Sequence, residues 1–410
     1  MQNVKQDRAC GLNNILYIFA IYLLVTVALN SDLNSNRIVW WASVGVFVVS
    51  SVMMLVRNGF SIKHQKIYLA WLAGFFVVCA ASVLWAEVVS YVTVALKTLV
   101  VHYGILFLLA ASLKSRRDIE ILLAILLIAC VTNAIYLVVF NFDMLIHVTD
   151  EIADRLGEGG NWNANVIGMM TSLAVVFLLY FYKKNKTTLK RIFILFNIAF
   201  LTYVTFVTGS RKAFLILIAG ALLYLPLAVN KRNRIKTVII SLAFVALAFF
   251  LVYKVPYFYN IIGWRLDAVI SSITGNGELD SSAVARSKLI AAAIETWKDN
   301  PLLGCGLDCF RIFGKIATGR DYYAHNNYVE LLADLGIVGF VAYYWGFVYC
   351  LARLWKKRHN EMSKLLLVVL IIIMIMGYAC VHYSEFLFEI ILLAVFSYVS
   401  ICEKATKELV

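Results

Sequence analysis

The run Thr208-Gly209-Ser210-Arg211-Lys212 separates two long apolar stretches and sets two cations beside a glycine and a hydroxyl. A turn of this composition can aim backbone N–H groups at an anion, and the helix that starts behind it adds positive potential. Arginine offers a forked grip on phosphate oxygens. Arg211 is therefore a candidate phosphate ligand, with Lys212 and Ser210 beside it. The competing reading is a pair of cations snorkelling from an apolar helix to a membrane surface. A second cluster is Ala324-His325-Asn326-Asn327-Tyr328-Val329-Glu330, which also abuts an apolar stretch. An imidazole exchanges a proton near neutral pH, so His325 is a candidate general base, with Asn326 and Glu330 as polar neighbours. A lone histidine in such a place more commonly packs or hydrogen-bonds.

These residues need a frame to hold them. Hydrophobic types make up 62% of the 410 residues and charged types 15%, with a mean hydropathy of +0.83. Soluble globular chains run near roughly 45–50% apolar and about 25% charged. One core cannot bury so much apolar surface without lipid as solvent, which excludes a soluble enzyme, a secreted disulfide scaffold and a disordered chain. Only three prolines are present, in keeping with long helices, since proline inside a helix costs about 3 kcal/mol. The expected fold is an all-α integral membrane protein.

Apolar runs long enough to span a bilayer number twelve, near 12–30, 38–56, 67–84, 91–111, 119–140, 163–182, 192–208, 212–229, 237–253, 328–352, 365–382 and 386–402. Every second connection is basic: Arg57 to Lys66, Lys114 to Arg117, Lys183 to Arg191, Lys231 to Lys236 and Arg353 to Lys364. With the two tails, that side carries 24 of the 37 Lys and Arg but only 6 of the 24 acids. Lysine and arginine mark the cytoplasmic side, so both termini are expected in the cytoplasm. The net charge of +13 is then a topology signal, and no nucleic-acid partner is expected. Lys5 and Arg8 precede the first apolar run, which lacks a small-residue cleavage site and reads as a transmembrane helix rather than a signal peptide.

Residues 1–410 read as one polytopic membrane domain with two long outer connections. Residues 141–162 are acidic, with Asp143, Asp150, Glu151, Asp154 and Glu158. Residues 254–327, between spans nine and ten, are longer. Within them Pro256 to Ile273 is amphipathic, and a second helix is expected from Asp280 or Ser281 through Arg286 and Leu289 to Trp297. Asn300-Pro301 stops it. The pair would form a lid over the bundle, or a surface decoration without chemistry. Of the eight cysteines, only Cys305 and Cys309 share an outer connection, where a disulfide is one option. No Cys/His cluster suggests a metal.

Taken together, several pieces resemble the O-antigen ligase and polymerase superfamily of bacterial surface-glycan assembly. They are the Thr-Gly-Ser-Arg turn, the long outer loop with its arginines, Asn300-Pro301-Leu302-Leu303-Gly304-Cys305-Gly306, and the His-Asn-Asn-Tyr-x-Glu start of the next helix with Gly336 and Gly339. The likeness covers roughly residues 160–345. It implies a glycosyltransferase that takes glycan from undecaprenyl pyrophosphate at the outer face of the cytoplasmic membrane, without metal or other cofactor. By the same resemblance, Arg211 and Arg286 match pyrophosphate-contacting arginines and His325 matches the histidine near the acceptor. Arg265, Lys212, Ser210, Asn326 and Glu330 are further binding candidates. The acceptor is a lipid-linked glycan for a polymerase, or lipid A core for a ligase. The turn and the His-Asn-Asn-Tyr-Val-Glu-Leu-Leu run look more like polymerases of O-antigen, capsule or exopolysaccharide. A flippase and a chain-length regulator are candidate partners.

Two other classes compete. A lipid-linked glycan transporter would show repeats, interrupted helices and mid-membrane charges. Here Pro226 is the one proline in a span, and Lys97 with His102 is the clearest deep polar pair. A polyprenyl-phosphate sugar transferase would need acids in the first outer loop, where only Asp32 stands.

Overall fold

The computed structural model describes residues 11–142, 155–156, 162–274 and 281–407. Helices account for nearly all of them, and no strand occurs among the described residues. Among the described residues nine long helices precede the long loop: α1 (Ile15–Leu29), α2 (Arg37–Asn58), α3 (Lys66–Ala81), α4 (Val89–Ser112), α5 (Arg116–Phe140), α6 (Ala164–Lys184), α7 (Thr188–Val207), α8 (Arg211–Ala228) and α9 (Arg234–Lys254). The loop carries α10 (Trp264–Thr274), α11 (Ser281–Asp299) and α12 (Phe310–Thr318). Then come α13 (Asn327–Lys356), α14 (Glu361–Gly377) and α15 (Phe386–Lys407).

Each of the twelve apolar runs is thus a helix, and among the described residues ten helices are long and apolar enough to cross a bilayer. The other two, α1 and α14, have 15 and 17 residues. At 1.5 Å per residue they reach roughly 22 and 26 Å, short of a core of about 30 Å. Capping ends α1 early: Asn14 accepts from the Leu16 N–H, and the Asn30 N–H turns back to Val27. The acidic connection lies mostly outside the described residues, as do Lys5, Arg8 and Asp280.

Packing places the ends of the helices that matter. Helix α6 is buried for most of its length and packs on α7 and α8. Its contact with α8 is close because both helices offer small residues. A Cβ on Gly168 would lie 2.7 Å from the Ala213 Cβ, and one on Gly220 would lie 2.5 Å from Val176 Cγ2. This fixes the start of α8, and Arg211 with it. Helix α13 packs on α3 and α14. By contrast, α9 buries only Ser241 and Val252, so its apolar surface suits lipid.

The long loop docks in two halves. Residues 256–266 join α7, α8 and α9 through Phe206, Phe214, Val252 and Ile262. The amphipathic segment expected to be one helix is a short turn at Pro256–Phe258, a π turn at Tyr259–Gly263 and then α10. Helix α11 begins at Ser281 as expected and packs on α12 and α13 through Leu289, Ala293, Phe310, Ala324 and Ala333. Sequence reading had not foreseen α12.

Candidate active site

The turn before α8 is built by neighbours rather than by its own residues alone. Ser210 caps the helix, its Oγ accepting from the Ala213 N–H at 3.4 Å and donating to Asn165 Oδ1 at 3.0 Å. Arg155 braces the same place, donating from Nε to the Thr208 carbonyl at 2.9 Å and from Nη2 to Asn165 at 3.3 Å. Gly209 takes φ +57°, and a Cβ there would sit 2.8 Å from the Ile261 carbonyl oxygen. Only glycine meets both demands. Arg211 therefore opens α8 from a rigid base, and its Nη1 donates to the Arg265 carbonyl at 3.3 Å.

His325 stands at the opposite wall in the left-handed region, φ +56°. For a residue with a Cβ that conformation is strained and has to be held by its surroundings. On one side Asn326 caps α13, accepting from the N–H groups of Tyr328 at 2.9 Å and Val329 at 3.4 Å. On the other, the buried Glu330 carboxylate accepts from the Ala324 N–H. Asn327 ties the turn to the 378–385 connection, its Oδ1 accepting from the N–H groups of His382 at 2.9 Å and Tyr383 at 3.2 Å. The imidazole packs on Tyr323 with ring centroids 4.2 Å apart.

The segment from Asn300 to Gly306 anchors this wall. Helix α13 breaks at Gly336, φ +60°, and the backbone groups freed by the break bond to the loop. Ile337 N–H donates to the Pro301 carbonyl at 2.9 Å, Cys305 N–H to Ala333 at 2.9 Å and Gly306 N–H to Asp334 at 2.8 Å. Asp334 accepts in turn from the N–H groups of Asp308 at 3.0 Å and Phe310 at 2.9 Å. Cys305 and Cys309 are separate, buried thiols; burial, then the Asp334 carboxylate, pushes Cys305 well up, and burial raises Cys309 to about 11.

Electrostatics bring the two walls together. Burial pushes the His325 imidazole down to about 4, and the charges of Arg286 and Lys212 add to the shift. Lys212 in turn feels both Arg286 and Arg211. Arg286 and Lys212 thus act on the imidazole, and Arg211 acts on Lys212. Tyr323 is raised to about 12 by burial first and by Glu385 next. Such a place can hold a doubly charged anion and take a proton from a neighbouring hydroxyl. Arg311 is engaged elsewhere, its Nε 2.6 Å from Asp308 Oδ1. Among the described residues no group of three or more His, Cys, Asp or Glu could hold a metal ion.

Of the residues singled out from sequence, Arg211, Lys212, Arg286 and His325 gather in this way. Arg265 meets Arg211 through its backbone, and its guanidinium lies over Trp264, 4.5 Å from the ring centroid. Ser210, Asn326 and Glu330 are buried and use their side chains to build the two turns. Sequence reasoning missed Tyr323, Glu385 and the bracing role of Arg155. The Glu385 and Glu389 pair, one helical turn apart at the start of an apolar run, was the available signal.

In this polytopic helical protein Arg286 and Lys212 thus lie within electrostatic reach of the His325 imidazole. Residues 196–344 match the model of a family described as O-antigen ligase. That stretch contains Arg211, both docked halves of the loop, Arg286 and His325. The match supports the O-antigen ligase and polymerase superfamily, and with it a glycosyl-transferring, multi-pass membrane protein that handles lipid-linked glycan. No curated protein matches the chain.

Proposed function

We propose that the protein is a glycosyltransferase of the bacterial cytoplasmic membrane, with both termini inside and residues 254–327 on the outer face. Its donor is a glycan on undecaprenyl pyrophosphate, and it polymerises repeat units of O-antigen, capsule or exopolysaccharide. The observation that supports this reading is the linked set of charges, Arg286 and Lys212 acting on His325 and Arg211 acting on Lys212. Pyrophosphate leaves readily once its charge is held, and arginines at a low-dielectric boundary do this without a metal. His325 takes the proton of the acceptor hydroxyl. The freed oxygen bonds to the anomeric carbon as the bond from that carbon to the pyrophosphate oxygen breaks, and polyprenyl pyrophosphate departs. General-base help of this kind contributes about 10²–10⁴-fold.

The description of the matched family favours a second reading, transfer to lipid A core. Reconstitution with lipid-linked glycan separates the two. A ladder of longer lipid-linked chains identifies a polymerase, and product only on added lipid A core identifies a ligase. Movement of glycan across the bilayer with neither product would refute both.

A further inference from the structure

A cavity of about 440 Å³ opens between α1, α2, α4 and the turn before α15. Trp40 and Trp41 from α2, Lys97, Thr98 and His102 from α4, and Glu385 line it. The volume suits a small ligand, and aromatic walls with a few polar groups are the usual make-up of such sites. Two indoles offer flat surfaces to the C–H faces of a sugar ring. A carboxylate, a hydroxyl and an ammonium can bond the sugar's hydroxyls. The wall is firm: His102 Nδ1 lies 3.0 Å from Glu389 Oε2, and Phe386 packs edge-on to Trp40 with centroids 6.4 Å apart.

The cavity neighbours the candidate active site through its wall. Its wall at Ser384 to Phe386 directly follows His382 and Tyr383, whose N–H groups bond Asn327, two residues beyond His325. Tyr91, at the start of α4, donates to Asp321 at 3.4 Å in the segment leading to His325. Glu385 acts on Tyr323, which packs against the imidazole. The cations that would hold pyrophosphate come from other elements, α8 and α11. A base that neighbours both the donor's cations and this cavity can take a proton from a hydroxyl held on the cavity side.

We propose that this cavity binds the acceptor sugar, the one whose hydroxyl is glycosylated, while the donor lies against the arginines. The assignment rests on the glycosyl-transfer reading of the His325 site. The acceptor sugar belongs to a repeat unit or to lipid A core, and the two sources are separable.

The test uses purified full-length protein and two probes: repeat-unit oligosaccharide released by mild acid from the source cell's lipid-linked glycan, and core oligosaccharide. Saturation-transfer NMR reads binding without turnover. One probe should bind wild type and Arg211→Ala alike. Binding should weaken at least tenfold in Trp41→Ala, a residue that is 55% exposed. Thr98→Cys, made with Cys10→Ser, should bind as wild type until a bulky maleimide is attached, then lose binding; the described native cysteines are all buried. Retention of polyprenyl-pyrophosphate binding by the blocked protein completes the expected pattern. No binding of either probe by wild type, unchanged binding in both cavity variants, or loss of donor binding on blocking would each overturn the proposal. Failure of the glycosyl-transfer reading shows elsewhere, as undiminished turnover in Arg211→Ala and Arg286→Ala.

Discussion

Burial and the charges of Arg286 and Lys212 hold the His325 imidazole at about 4. A bound pyrophosphate would neutralise those two cations and return part of the shift, leaving the larger part, which burial causes. The base should therefore strengthen when the donor arrives. The acid limb of kcat/KM reports the free enzyme and that of kcat the complex. The first is expected near 4, and the second between that value and the ordinary imidazole value of about 6.5. The sign follows from the lowered value: the neutral, proton-accepting form persists to acid pH and is lost only as pH falls through the shifted value. At pH 5 an imidazole titrating at about 4 is about nine-tenths neutral, against about 3% for an ordinary one, a difference of roughly 30-fold in competent base. The assay is initial rate against donor concentration from pH 3.5 to 8 in liposomes, with samples returned to pH 7.5 to confirm that the protein survives acid. An acid limb of kcat/KM near 6.5, or identical limbs for both parameters, would refute the coupling of base to cations.

Arg211→Ala and Arg286→Ala should each nearly abolish transfer at matched protein level, Arg→Lys should rescue poorly because a point charge replaces a fork, and Lys212→Ala should be milder; near-normal rates in either alanine variant remove that arginine from the mechanism. Glu330→Leu leaves the Ala324 N–H without its acceptor, a loss of about 1–3 kcal/mol in holding the His325 turn, so kcat should fall at least tenfold while donor KM stays; a change confined to KM would contradict the positioning role. Gly336→Ala places a Cβ 2.3 Å from Leu302 backbone atoms at φ +60°, which should lower Tm measurably for a strain of order 1–3 kcal/mol; an unchanged Tm would show that the break yields easily. Lys288→Cys, exposed on α11, should react with an impermeant thiol reagent in spheroplasts, and labelling only after permeabilisation would reverse the proposed orientation.

The frame was legible because each span announces itself by an apolar run with a basic segment at every second connection. The turn at Thr208-Gly209-Ser210 was legible too, since glycine and a capping hydroxyl between apolar runs have few other meanings. What sequence could not show is which polar side chains turn inward to support the backbone. Ser210, Asn326 and Glu330 look like ligands in a linear reading, yet each has backbone or neighbouring side-chain partners that make it part of the scaffold. The same holds for Asn300 to Gly306, whose recipients at Ala333, Asp334 and Ile337 lie a long way along the chain. The cavity beside Glu385 escaped notice because α1, α2, α4 and the turn before α15 contribute its wall from positions with no sequence relation.

The break at Gly336 has a mechanical consequence for the long loop. Pro301, Cys305 and Gly306 complete the hydrogen bonding of α13 itself, so the C-terminal end of α11 is clamped to a membrane helix through backbone bonds. Swinging that end outward would strip several buried amides of partners at once. The clamp acts as a fulcrum. Residues 256–266 have no such clamp: they rest on α7, α8 and α9 through a small apolar cluster, so motion of the loop should begin in that half.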